Sequence, residues 1–437
     1  MGLRLGHRGA IRDQEQRLDI ELAPEQRQAI RIALSHPVSI ITGGPGTGKT
    51  TVTNTIIEFW QHLRPYDELY LAAPTGKARK RMAEVTGQEA HTIHKLLRYN
   101  PEIEGFEYDE INPLPGPGLL IVDEFSMCDV ELARALLAAV DKYTQVVIVG
   151  DVDQLPSVGP GCVLRDLIDC GRIPVTRLKF NFRQAGGSKI AEYANLVADG
   201  QEFPLETSGD FEFIEVSDDK EAAEAIHKRI QELIAGGCNA EDIQILAPMK
   251  RSAAGVIKLN DMARELFNPD GGGPSVRGLR RHDKVMVVAN NYTLDVFNGD
   301  IGMVVDVGRD FVTADIDDHR VTFADDKLDL LTLAYAATIH KSQGSEFPIV
   351  IMPLVKSHYM MLVRNLLYTG MTRAKQRLIL VADPWAVKKA INNNQVRNRF
   401  SLLADRIQEL GNTDSSLSDD SDDSDEIEEN EAIAAGA

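Results

Sequence analysis

The chain has 437 residues, 43% apolar and 26% charged, which suits a globular protein of two or three domains. No apolar run reaches the roughly 20 residues of a membrane span, and the first 18 residues lack the apolar segment of a secretory signal, so membrane contact is not expected. Cys128, Cys162, Cys170 and Cys238 are scattered without a Cys-x-x-Cys pair, which argues against structural zinc or a disulfide framework and for a reducing, cytoplasmic setting. The net charge is −19, but residues 412–437 hold ten carboxylates and no Lys or Arg, leaving −9 for the rest. A nucleic-acid contact would therefore be a local groove rather than a basic surface.

In chain order, residues 1–20 read as a polar lead-in, and a helix begins near Pro24 in LAPEQRQAI. The β-branched run 38–41 then enters Gly43-Gly44-Pro45-Gly46-Thr47-Gly48-Lys49-Thr50-Thr51. This spacing of glycines turns backbone N–H groups inward onto phosphate oxygens at the positive end of the following helix. Lys49 can reach the β- and γ-phosphates, and the Thr50 hydroxyl can hold Mg²⁺. The stretch predicts a bound nucleoside triphosphate with Mg²⁺ as cofactors.

Further apolar strands follow at 69–74, 118–123 and 145–150, separated by helical patterns. Such continuous apolar strands predict a parallel sheet covered on both faces, with ligands at the strands' C-terminal ends. Residues 98–117, aromatic and proline-rich, interrupt this pattern and read as a small hairpin insertion. A second α/β pattern occupies 181–410, with helices over 188–199 and 219–235 and strands at 242–247, 348–355 and 377–382. Within it, 276–330 alternates apolar and polar residues around Asn298-Gly299 and Asp317-Asp318, which predicts a small antiparallel barrel. The Ser/Asp/Glu-rich stretch 411–437 has no periodic apolar face and reads as a disordered acidic tail.

Hydrolysis requires more than the phosphate loop. Asp123 and Glu124 end a buried strand, where Asp123 can serve the Mg²⁺ shell and Glu124 can polarise the attacking water. Gln154, after the next strand, can hydrogen-bond the γ-phosphate or that water. Arg183 and Arg373 supply delocalised charge to a transferring phosphoryl group, and both fall in the second α/β half, which predicts a clamp between domains. Pro74, Thr75, Thr92, His94, Thr338 and His340 offer small donors suited to phosphate and sugar contacts without sequence information. The tetrad Thr-Ile-His-Lys occurs twice, at 92–95 and 338–341, once in each half, so two equivalent grips on one strand are expected.

The motifs GGPGTGKTT, APTGKA, TIHKLL, VDEFSM, GDVDQLPSVGPG, FRQ, VFNGDIG, ATIHKSQGSEFPIV and LLYTGMTRAK, in this order between Gln26 and about Arg406, resemble the RecD-like helicases of superfamily 1. The resemblance implies two RecA-like domains, over 21–180 and 181–410, an SH3-like barrel that covers DNA, and an ATP-dependent DNA helicase moving 5′→3′ on single strands. It implies that the triphosphate is ATP, that Gln26 reads adenine and that the insertion is a strand-parting pin, with Phe106 and Tyr108 as its apolar tip. Expected partners are single-stranded DNA, junctions of single- and double-stranded DNA, and single-strand-binding or repair proteins, with the motor acting as a monomer. A translocase without strong duplex unwinding is the alternative. Longer relatives carry a helix-hairpin-helix region ahead of the motor that is not found in this sequence; the expected effect is on partner docking and processivity.

Overall fold

The computed structural model describes residues 15–17, 20–269, 273–317, 319–395 and 401–418, with side chains to 410. The lead-in before Glu15 and the acidic stretch after Ser418 lie outside the described residues.

The first domain is built on a six-stranded parallel sheet. Its strand order is His91–Thr92, Glu68–Ala73, Gly118–Val122, Gln145–Gly150, Val38–Thr42 and Val175–Arg177. Successive strand residues point to opposite faces, and here both faces are apolar. Ile41, Leu119, Ile121, Val147 and Val149 bury against Pro24–Ser35 and Lys49–Leu63. Ile40, Leu120, Val122, Val146 and Ile148 bury against Val130–Ala138 and Val163–Asp169. Residues 99–106 form the expected hairpin, pairing Tyr99 with Phe106 and Asn100 with Gly105.

The second sheet runs Ala336–Thr338, Ile243–Ala247, Phe347–Leu354, Ala374–Ala382 and Phe211–Glu215, again all parallel. Its two cores also divide by strand parity. Val350, Met352, Leu378 and Leu380 face Lys189–Asp199 and Arg364–Met371, while Ile349, Ile351, Ile379 and Val381 face Asp219–Ala235 and Val256–Phe267. Between them lies the antiparallel insertion, ordered His319–Ala324, Phe311–Ile316, Ile301–Val307, Lys284–Val287 and Leu331–Leu333, with its own core around Phe323 and Val285. The closing strand extends three residues past the expected boundary at 330.

Three expectations about organisation change. The last described helix, Leu403–Ser418, continues through eight residues read as tail, and it docks on the first domain rather than the second. Leu403 and Ile407 join the first domain's core, and Gln408 donates from Nε2 to Cys170 O at 3.2 Å. Arg183 belongs with the first domain's phosphate loop: the Phe182 N–H donates to Gly46 O at 2.9 Å and Asn181 Nδ2 donates to Pro45 O at 3.1 Å. At the hairpin's turn the exposed apolar residue is Ile103, 65% accessible, whereas Phe106 and Tyr108 are half-buried at its root. Phe106 packs on Tyr99 and His94 at ring distances of 5.4 and 5.8 Å, so it is not the tip.

Candidate nucleotide and nucleic-acid sites

The phosphate loop is shaped by backbone conformations that favour glycine. Gly46 and Gly48 have φ of 79° and 78°, a region costly for residues with a Cβ. Thr47 Oγ1 donates to Gly44 O at 2.8 Å and ties the loop to itself. Lys49 opens the helix Lys49–Leu63, and its Nζ donates to Gly43 O at 2.6 Å and Gly44 O at 3.1 Å. Gln26 lies behind the loop, with Nε2 donating to Thr47 O at 3.2 Å and Oε1 accepting the Ala23 N–H at 2.9 Å.

A cavity of about 230 Å³ opens over the loop, lined by residues from both domains. From the first domain come Gly44, Pro45, Gly46, Gly48, Lys49, Thr50, Arg81, Asp123, Glu124, Gln154 and Arg183; from the second come Glu346 and Arg373. Gly43, Thr47, Thr51 and Gln26 do not line it: Gly43 is held through Lys49, Thr47 and Gln26 are buried behind the loop, and Thr51 is exposed on the helix. Glu124 adopts φ 51°, a strained conformation for a residue with a side chain, which turns its carboxyl into the cavity. Burial and then the neighbouring Asp123 push the Glu124 carboxyl above its ordinary range, against the opposing pull of Lys49 and Arg373. Thr50 and Asp123 contribute a hydroxyl and a carboxylate, hard oxygen donors of the kind Mg²⁺ accepts.

Arg373 is buried and fully oriented. Its Nε donates to Thr369 O at 3.1 Å, Nη1 to Ser345 O at 3.0 Å and Nη2 to Thr372 Oγ1 at 3.2 Å. Glu346, which the sequence reading passed over, joins the two halves. Its Oε1 accepts from Arg183 Nη2 at 2.9 Å and its Oε2 from Arg81 Nη2 at 3.1 Å. Burial raises the Glu346 carboxyl, but Arg81 and Arg183 outweigh it and hold the group below its ordinary range. The signal was a carboxylate inside QGSEF; its partner lies 163 residues away in sequence, so only folding pairs them.

The loop carrying Gln154 is stapled to the second domain's helix Arg364–Met371. Tyr368 OH donates to Asp151 Oδ2 at 3.0 Å, and the Leu155 N–H donates to Thr369 Oγ1 at 2.9 Å. Asn365 Nδ2 donates to Gln154 O at 3.0 Å, and Gln154 Nε2 reaches Asp151 Oδ2 at 3.1 Å. Tyr368 and Asp151 were also missed, because neither carries a motif-level signal without its partner.

The two Thr-Ile-His-Lys tetrads occupy equivalent places. Thr92 ends the edge strand of the first sheet in register with Ala73, and Thr338 ends the edge strand of the second in register with Ala247. A short helical turn carries His94 in one and His340 in the other. Burial lowers both imidazoles below the ordinary histidine value, which favours neutral rings. Thr92 Oγ1 accepts the Lys95 N–H at 3.2 Å, and Thr75, next to Pro74, accepts the Ala78 N–H at 3.3 Å.

The AAA domain family matches residues 26–160, the UvrD-like helicase C-terminal domain 333–381, and the ATP-dependent RecD-like DNA helicase SH3 domain 259–323. The RecBCD enzyme subunit RecD of Mycolicibacterium smegmatis is 33% identical over 410 residues, covering 85% of this chain and 73% of that protein. The chain belongs to the RecD-like DNA helicase family. The ATP-dependent RecD2 DNA helicase of Deinococcus radiodurans is 37% identical over 391 residues, and the chain spans about half of its length, 52%. A Bacteroides Pif1 helicase in complex with ADP-AlF3 and single-stranded DNA shares the fold, with TM-score 0.53 and 19% identity over 92% of this chain and 99% of that one. Within this RecD-like fold the SH3 match falls on the antiparallel insertion, and no described helix is long and apolar enough to cross a membrane.

Proposed function

We propose that this chain is a cytoplasmic ATP-dependent DNA helicase that moves 5′→3′ on single-stranded DNA and parts the duplex ahead of it. The supporting observation is the cavity lined from both domains, with Lys49, Asp123, Glu124 and Gln154 on one side and Arg373 and Glu346 on the other. A triphosphate bound there would touch both sheets, so its hydrolysis alters how the two halves are held. Lys49 would exchange its two loop carbonyls for phosphate oxygens, and Arg183 and Arg373 would meet charge developing on the transferring group. Thr50 and Asp123 would hold Mg²⁺, which supplies charge neutralisation when bound. Glu124 would orient and deprotonate water, and Gln26 would exchange its loop contact with Thr47 O for the base. The strand would lie across the paired turns at Thr92–His94 and Thr338–His340, beside Pro74, Thr75 and the hairpin root at Phe106. Single-strand-binding or repair proteins are the partners such a monomeric motor would meet.

Lys49→Ala is expected to reduce ATP turnover about a thousandfold or more while leaving much of the affinity for a single-stranded oligonucleotide. A steady-state ATPase assay beside an anisotropy titration decides this, and near-normal turnover in the variant overturns the reading.

A further inference from the structure

Apart from the nucleotide cavity, the molecule has a larger groove of about 790 Å³ between the hairpin and the antiparallel insertion. Tyr70, His94, Lys95, Arg98 and Tyr99 line it from the first domain, and Tyr292 reaches it from the insertion. Tyr99 and Tyr292 are 43% and 59% exposed, an unusual display of aromatic surface on facing elements. The groove exists because the insertion is docked on the first domain. Phe297 sits against Gly76 so closely that a Cβ there would collide with its ring. Arg79 covers the same ring at 4.9 Å and pairs with Asp295 at 3.7 Å, and Lys80 pairs with Asp317 at 3.3 Å. Phe297 in turn meets Tyr292 edge-on at 5.9 Å and so holds it over the groove.

We infer that this groove is a nucleobase-stacking site, assembled from both domains, for the unpaired nucleotide where the tracked strand meets the duplex. Exposed aromatic faces beside Lys95 and Arg98 match what a base and its phosphate require, and stacking tolerates every base. Arg98 pairs with Glu107 at 3.4 Å and lies over the Tyr108 ring at 5.0 Å, so Lys95, exposed at the groove's edge, is the cation placed for a phosphate, while the lining carboxylate Glu89 projects into solvent. His94 belongs both to this groove and to the first Thr-Ile-His-Lys turn, so the site continues the proposed track; it rests on that reading.

The test uses the full chain, a 5′-tailed fork carrying 2-aminopurine at the last unpaired position, and a single-stranded oligonucleotide of the same tail. Expected for Tyr292→Ala and Tyr99→Ala is a loss of fork affinity of about tenfold, with recovery of the 2-aminopurine fluorescence that the wild type quenches. Tyr292→Phe should keep both within about twofold, because the ring face rather than the hydroxyl is used. Unchanged affinity and quenching in both alanine variants, or a Phe variant as impaired as Ala, overturns the stacking site. Loss of a protein partner with fork binding intact overturns it too, by putting a polypeptide in the groove. If the wild type binds neither oligonucleotide, the helicase reading fails first.

Discussion

Glu124 shows how one side chain carries opposite demands. Its carboxyl is held above the ordinary range by burial and by Asp123, so folding disfavours its ionised form relative to the unfolded chain. For an acid whose folded pKa is raised, ionisation costs the native state stability as pH climbs past the unfolded value, and the penalty saturates above the folded one. Glu124→Gln should therefore stabilise the nucleotide-free protein more at about pH 8 than at about pH 4, while ATP turnover falls about a hundredfold or more. Thermal melting at both pH values, alongside ATPase, checks the pair; a variant less stable at the higher pH would refute the sign. Glu346 makes the contrary case, since its ionised form is the one its arginines hold. Glu346→Gln should cost about 1–2 kcal/mol in urea unfolding, less than a fully buried pair because both guanidinium groups reach solvent. Turnover should fall with it, about tenfold, since Arg183 loses the group that aims it.

At the scale of elements, the hairpin divides into a packed root and a free turn. Tyr99 and Phe106 pair across its strands and rest on His94, whereas Ile103 projects from the turn. If the hairpin parts strands, contact with a duplex end would fall to its turn at Ile103, since Phe106 is packed at the root. Ile103→Ala is expected to lower strand displacement several-fold with DNA-stimulated ATPase retained, whereas Phe106→Ala should cost about 1–3 kcal/mol of stability through lost packing. Displacement and ATPase measured together separate the two; equal unwinding by Ile103→Ala and wild type would remove the turn from the mechanism. The edge strands were the hardest elements to read from sequence. His91–Thr92 and Ala336–Thr338 have two and three residues, too few for a periodic signal, and they are strands because a neighbour already offers a partner.

For the whole molecule, the hairpin turn projects from the first domain, and the groove beside it is completed by Tyr292 of the antiparallel insertion. Movement in the 5′→3′ sense should leave a duplex with a 5′ single-stranded tail unwound and a 3′-tailed one intact, as strand displacement on the two substrates would report. The reverse preference would exclude this directional assignment. The amino-acid order alone determined the two α/β halves, because buried parallel strands are continuous apolar runs, and it determined the phosphate loop, because backbone chirality there admits little besides glycine. It also marked Asp123, Glu124 and Arg373, which sit in local motifs. Only the tertiary structure decided that Arg183 sides with the phosphate loop, that Glu346 joins it to Arg81, and that Leu403–Ser418 returns to the first domain. Those facts depend on partners up to 265 residues apart, and a contact between distant residues leaves no local pattern from which either one could be read.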